Sequence, residues 1–205
     1  MDALLLVDIQ NDFMPFGALP VAEGHEVVPV ANLLAPRFEL VIATQDWHPS
    51  DHVSFASNQP GHVPGDVIEI DMIGQVLWPD HCVQQMPGAS FHSALDVAEI
   101  DFVVRKGTDP RIDSYSGFFD NEHLKETGLE RLLRDQGVNG IVICGLTTDY
   151  CVLSTALDGR ELGFDVTVVG DGVRAVNLTP GDSDRAFERM RAAGCTIVSA
   201  AAFGV

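Results

Sequence analysis

Apolar residues gather in short, nearly uninterrupted runs at residues 3–7, 40–43, 141–144 and 166–169, with weaker ones at 102–104 and 196–198. Runs of this length with little polar alternation suit strands buried on both faces, the pattern of a parallel sheet. Between them the apolar spacing lengthens to that of a helix. Residues 26–34 carry Val27, Val30, Leu33 and Leu34 at helical spacing, and Pro29 is tolerable there only in the first turn. Residues 129–136 alternate apolar and charged positions at the same spacing. Residues 149–161 predict a third helix, with Thr148 or Asp149 able to cap it and Gly163 past its end. Residues 180–193 predict a fourth, with Pro180 in or just before the first turn, arginines near the end and Gly194 as the stop. Strands alternating with helices imply an α/β fold of three α/β/α layers around a central, mostly parallel six-stranded sheet, Rossmann-like in type. The length of 205 residues fits one domain, 1–205.

One stretch breaks the rhythm. Residues 45–90 show no sustained period, yet they hold four of the seven histidines (His48, His52, His62, His81) and five of the eleven prolines. Long irregular segments inside compact domains are usually functional or disordered. Tryptophan, phenylalanine and clustered histidines argue for order, so the stretch is read as an excursion that builds a site over the sheet edge.

Composition narrows the partners. With 30 acidic against 12 basic side chains, the formal net charge is −18, which repels nucleic-acid phosphates and anionic membrane surfaces. No apolar run approaches the length of about 20 residues needed to span a membrane. The N-terminal segment MDALLLVDIQ lacks a basic residue and reads as a first strand rather than a signal peptide. Cys82, Cys144, Cys151 and Cys195 are widely spaced with no CxxC pair, which suits reduced thiols in the cytoplasm.

In an open parallel sheet, ligands gather at the carboxyl ends of the strands. Those ends here carry Asp8, then Gln45-Asp46-Trp47-His48, then Arg105-Lys106, then Gly145-Leu146-Thr147-Thr148-Asp149-Tyr150-Cys151. Cys151 falls in the first turn of a predicted helix, where aligned dipoles and unpaired N–H groups lower a thiol pKa and can hold an oxyanion; the plain alternative is a small buried residue. Asp8 is either a loop cap or a general base raised by burial, and Lys106 either a solvated lysine or its balancing charge. Asp46 and His48 can share a metal if Trp47 points away, and His81 in Trp78-Pro79-Asp80-His81-Cys82 completes a two-histidine, one-carboxylate set suited to zinc, iron(II) or manganese. His52 and Ser54 are further candidate ligands, and hydrogen bonding within an irregular loop is the plainer reading of such histidines. Phe13 and Trp78 flank these clusters and could sandwich a flat ring, whereas Phe91, Phe102 and Phe187 need no role beyond core packing.

Taken together, Asp8-Ile9-Gln10-Asn11-Asp12-Phe13, Asp46-Trp47-His48-Pro49, Trp78-Pro79-Asp80-His81-Cys82, Lys106-Gly107, Asp113-Ser114-Tyr115-Ser116 and the segment from Gly145 to Cys151 resemble the nicotinamidases and pyrazinamidases, isochorismatase-like cysteine hydrolases. The resemblance runs in order over essentially the whole chain. It implies a triad of Asp8 as base, Lys106 as its cationic partner and Cys151 as nucleophile. It also implies one divalent metal held by Asp46, His48 and His81. The fourth protein ligand is open, because some relatives place one six residues beyond the position of His48, where this chain has Ser54, while His52 lies four residues on. A cis peptide matching Leu146–Thr147 would turn the backbone N–H groups of Thr147 and Cys151 towards an oxyanion, with Phe13, Trp78, Tyr115 and Leu146 around the substrate. Nicotinamide is the implied substrate, with pyrazinamide as an analogue, in the salvage of pyridine nucleotides. Such relatives commonly self-associate, so a homo-oligomer fits as well.

Three other readings compete. A metal-free relative acting on isochorismate or an N-carbamoyl compound would share Asp8, Lys106 and Cys151 without the histidines. A zinc hydrolase would make Cys151 dispensable. A non-catalytic binding protein on the same scaffold would be expected to have lost part of the triad.

Overall fold

The computed structural model describes residues 1–70 and 72–205. Six strands, β1 (Asp2–Val7), β2 (Val41–Asp46), β5 (Phe102–Lys106), β6 (Gly140–Leu146), β7 (Asp165–Arg174) and β8 (Thr196–Val198), form one sheet in the order β5-β2-β1-β6-β7-β8. Every pairing within it is parallel. The expectation of a mostly parallel sheet is met in its stricter form. Between β2 and β5 lie β3 (Val67–Ile70) and β4 (Ile73–Val76), which pair antiparallel as a separate hairpin.

Burial follows the sheet order. Every residue of β2 and β6 is buried, as are all of β1 after Asp2, whereas the edge strand β5 leaves Phe102 and Val103 exposed. Phe102 is therefore not a core residue, because one side of its strand has no neighbour. Alternate side chains feed two apolar layers. Ala3, Leu5, Ile42, Ile141 and Ile143 pack with α2 (Leu129–Asp135), α3 (Leu153–Glu161) and α4 (Asp182–Ala192) on one face. Leu4, Leu6, Val41, Ala43 and Val142 pack with α1 (Val27–Leu34) and the turn at Ala200–Phe203 on the other. These are the three layers expected from strands alternating with helices. Among the described residues no helix is long and apolar enough to cross a membrane.

The helix punctuation holds in most places. Pro29 is in the first turn of α1, where its missing N–H costs nothing. Gly163 and Gly194 follow α3 and α4 with positive φ. The third helix departs from expectation: residues Thr148–Val152 form a π-type turn and the regular helix begins at Leu153. Neither Thr148 nor Asp149 caps it. Asp149 instead accepts the backbone N–H groups of Val176 (3.0 Å) and Asn177 (2.7 Å), tying the loop after β7 to the turn.

Residues 45–70 and 72–90 hold two features that the sequence reading did not suggest. They contain the β3–β4 hairpin, whose four-residue strands are half exposed and give no apolar run. They also arch over the carboxyl ends of β1 and β2, which are interior strands, rather than over the sheet edge: Gln10 pairs with Phe91, and His48 with Val83.

Gly145 marks the tightest backbone approach under the site. It sits opposite Val7 in the β1–β6 pair with φ of +128°, at a register shift towards β7. An added Cβ would collide with the Val7 carbonyl oxygen and nitrogen. Gly145→Ala is expected to destabilise the protein by about 3 kcal/mol, combining a disallowed backbone with overpacking, as read from the urea unfolding midpoint.

Candidate active site

The ends of four strands converge. Asp8 follows β1 with φ of +48°, a costly backbone for a non-glycine residue. Its N–H donates to Thr44 Oγ1 at 3.2 Å, and the same hydroxyl donates to Asp8 Oδ1 at 2.6 Å. Lys106 ends β5 opposite Asp46 of β2, and its side chain reaches both Asp46 and Asp8. All three side chains are buried.

An ammonium has three N–H bonds. Lys106 donates to Asp46 Oδ1 (2.7 Å), the Ser114 carbonyl (3.0 Å) and Cys151 Sγ (3.3 Å). Asp8 Oδ2 lies 2.9 Å from the same nitrogen as an ion pair, yet it receives no aligned hydrogen bond. That oxygen is left open to accept a proton. Burial raises the Asp8 carboxyl above its ordinary range, against the opposing pull of Lys106. For Lys106 itself, burial works against the charge, but Asp46 and Asp8 outweigh it and hold the ammonium well above the usual lysine value.

The thiol corrects an expectation. A helix start was expected to lower its pKa, but burial pushes Cys151 well above the ordinary thiol value, and Lys106 offsets this only in part. Asp8 and Asp46 add negative potential that holds the proton in place. Burial and the two carboxylates thus favour the thiol over the thiolate.

Asp46 divides its two oxygens between neighbours. Oδ1 faces Lys106, while Oδ2 lies 3.3 Å from His48 Nε2 and 3.7 Å from His81 Nε2. The ligating atoms of Asp46, His48 and His81 all fall within 4.8 Å of one another. His48 Nδ1 meets the Gly107 carbonyl at 2.9 Å and His81 Nδ1 meets the Pro79 carbonyl at 2.8 Å. With Nδ1 donating to a carbonyl, each ring presents an Nε2 lone pair to the Asp46 oxygen, the arrangement that metal-binding histidines need. The donor set thus fits a divalent cation such as zinc. Phe55 packs against both rings and fixes their tilt.

His52 and Ser54 lie one layer further out. His52 Nδ1 bonds Ser54 Oγ at 2.7 Å, its ring packs at a tilt against His48 with centroids 4.2 Å apart, and burial lowers its pKa to about 4. His52 groups with His48 and Asp113 rather than with Asp46 and His81.

Phe13, Trp78 and Tyr115 line a cavity that also exposes Asp46, His81 and Cys151. Trp78 donates to the Tyr115 hydroxyl at 3.2 Å, and Tyr150 stands edge-on to Trp78. Leu146 is not part of this wall, contrary to the expectation. It is the last residue of β6 and turns into the apolar layer against α1. The cis peptide expected at Leu146–Thr147 is present, and the cavity wall is made by Thr147.

Several contributors escaped the sequence reading. Thr44 holds Asp8, and Gln10 bonds both the N–H and the carbonyl of Asp46 at 2.8 Å. Asp12 accepts the Cys82 N–H at 2.7 Å, anchoring the segment that carries His81. Gln10 and Asp12 stand in the first quoted motif, but a role through backbone contacts leaves no mark in spacing. Asp113 reaches the cavity from a loop of no regular period.

An isochorismatase-domain family model matches residues 2–202. Nicotinamidase from Escherichia coli strain K12 is 49% identical over 203 residues, covering 97% of this chain and 95% of that protein. A solved Acinetobacter baumanii nicotinamidase/pyrazinamidase superposes with a TM-score of 0.95 at 40% identity, covering 98% of this chain and 97% of that one. The pyrazinamidase of Pyrococcus horikoshii, solved in complex with zinc, superposes with a TM-score of 0.80 at 39% identity over 97% of this chain and 98% of that one. The chain belongs to the isochorismatase-domain family, among its nicotinamidase and pyrazinamidase members.

Proposed function

We propose that this protein is a nicotinamidase that hydrolyses nicotinamide to nicotinic acid and ammonia through a thioester on Cys151, and that it accepts pyrazinamide as well. The observation that carries this reading is the contact of Lys106 with Asp8, Asp46 and Cys151, which joins a proton-transfer triad to a metal-ligating set in one aromatic-walled cavity.

In this mechanism Asp8 takes the thiol proton on its open Oδ2, and Cys151 Sγ attacks the carboxamide carbon. The oxyanion rests on the backbone N–H groups of Thr147 and Cys151. Asp8 returns the proton to the amide nitrogen, the carbon–nitrogen bond breaks, and ammonia leaves a thioester. Water enters with Asp8 again as base, the carbon–sulfur bond breaks, and nicotinic acid departs as the thiol is restored. Lys106 stays protonated throughout and steadies each anion in turn. Asp46, His48 and His81 would hold a divalent ion, which supplies a Lewis-acidic anchor for the pyridine nitrogen. Phe13 and Trp78 flank the ring. Four free cysteines fit a reducing, cytoplasmic setting.

The primary test is ammonia release from nicotinamide by purified protein. Prior treatment with iodoacetamide is expected to abolish it, and Cys151→Ala to reduce kcat by at least about 10³-fold with an unchanged urea midpoint. Near-normal turnover in that variant would sink the covalent mechanism. Dialysis against a chelator is expected to remove activity, and added zinc or manganese to restore it; full activity in metal-free protein would exclude the metal role. Gly107 tests the metal set from outside it. Its φ is +62°, and a Cβ there would collide with the His48 ring. Gly107→Ala is expected to weaken metal affinity by about 10–100-fold, measured as metal retained during dialysis against a competing chelator.

A further inference from the structure

Thr147 is buried on the wall of the cavity that holds Cys151, and its Oγ1 has no hydrogen-bond partner among the described residues. Nearly all buried hydroxyls in folded proteins are paired, so an unpaired one on a residue that lines a cavity needs an explanation. The Thr147 backbone is clamped to the turn that carries the nucleophile: its carbonyl accepts the N–H groups of Tyr150 (3.2 Å) and Val152 (3.0 Å). The residue is thereby fixed to the turn that carries Cys151.

The other polar groups around the reacting carbon are committed. Lys106 spends its donors on Asp46, Ser114 and Cys151. Trp78 Nε1 is bonded to Tyr115, and His81 Nδ1 to the Pro79 carbonyl. Asp8 is a carboxylate, which accepts and so suits the NH₂ end of a carboxamide. A carboxamide that turns its NH₂ towards Asp8 turns its oxygen away from it, to the side where donors are needed.

We propose that Thr147 Oγ1 donates a hydrogen bond to the carboxamide oxygen and stabilises it as the oxyanion of the tetrahedral intermediate. The proposal rests on the hydrolase reading above and adds a side-chain donor to the backbone N–H groups. Negative charge on the oxygen grows as sulfur attacks, so the bond strengthens between bound substrate and transition state. Such an interaction acts on kcat and leaves KM nearly untouched.

The test compares Thr147→Val, which keeps the side-chain shape without the hydroxyl, with Thr147→Ser, which keeps the hydroxyl. For each variant, kcat and KM for nicotinamide are measured, together with inhibition by pyridine-3-carbaldehyde and by nicotinate. The aldehyde adds reversibly to a thiol and so presents a tetrahedral oxygen; nicotinate does not. Thr147→Val is expected to lower kcat by about 10²-fold, as loss of one oxyanion donor does, with KM changed by less than about threefold. It should weaken aldehyde inhibition while sparing nicotinate inhibition, and Thr147→Ser should recover most of kcat. An unchanged kcat in Thr147→Val, a loss confined to KM, equal loss of both inhibitors, or a serine variant no better than valine would each overturn the proposal while the hydrolase reading stood. A wild-type protein inactive on nicotinamide would overturn both.

Discussion

The site turns on one buried ammonium. Lys106 is sealed from solvent between the carboxylates of Asp8 and Asp46 and touches the Cys151 sulfur. Burying any one of these charges alone would be prohibitive, and losing one partner from such a set typically costs about 3–5 kcal/mol. The cluster is tolerable because each charge has a partner, and its imbalance decides the chemistry. Two carboxylates share one cation, so the one with more ligands stays ionised and the other is pushed upward. Asp46, which accepts a hydrogen bond from Lys106 at 2.7 Å, is held well below the ordinary carboxylate value despite its burial. Asp8, with Thr44 and part of Lys106, is raised. In the proposed mechanism the first acid helps to hold a cation and the second moves a proton.

The remaining architecture keeps this cluster in place. Parallel strands end at a common level, so β1, β2, β5 and β6 deliver their last residues to one side of the sheet. Asp8 and Cys82, the latter next to His81, both adopt positive φ without being glycine. Such backbones persist only where surrounding contacts over-determine them, and here the contacts are the Thr44 hydroxyl on Asp8 and the Asp12 carboxylate on Cys82. Gln10 fixes Asp46 through its backbone at both N–H and carbonyl. The rigid outer layer thus consists of short polar contacts to main-chain groups, and the reactive side chains are free of that duty.

Legibility in the sequence followed burial. Strands inside the sheet announced themselves because both faces are apolar, whereas β5 and β8 were faint because an edge needs less. The β3–β4 hairpin went unread, since its half-exposed strands are only four residues long, too short to establish a period. At the site, strand-end logic pointed to Asp8, Asp46, Lys106 and Cys151, and the motifs pointed to His48 and His81. The neighbour of a cis peptide was harder: Leu146 was expected at the substrate, but the strand carries it into the core and leaves Thr147 on the wall.

By itself, the order of apolar runs and chemical side chains determined the sheet class, the end of the sheet that bears the site and the residue types gathered there. These follow from local rules: strands buried on both faces lack polar alternation, and parallel strands present their ends together. Only the tertiary structure decided how charge is shared. That Lys106 serves both Asp8 and Asp46, that burial raises the Cys151 thiol, and that His52 turns to Ser54 and Asp113 depend on distances of a few ångströms across segments remote in the chain. Electrostatic energies vary steeply with such distances and with the exclusion of water, and neither quantity is written in the spacing of residues along a sequence.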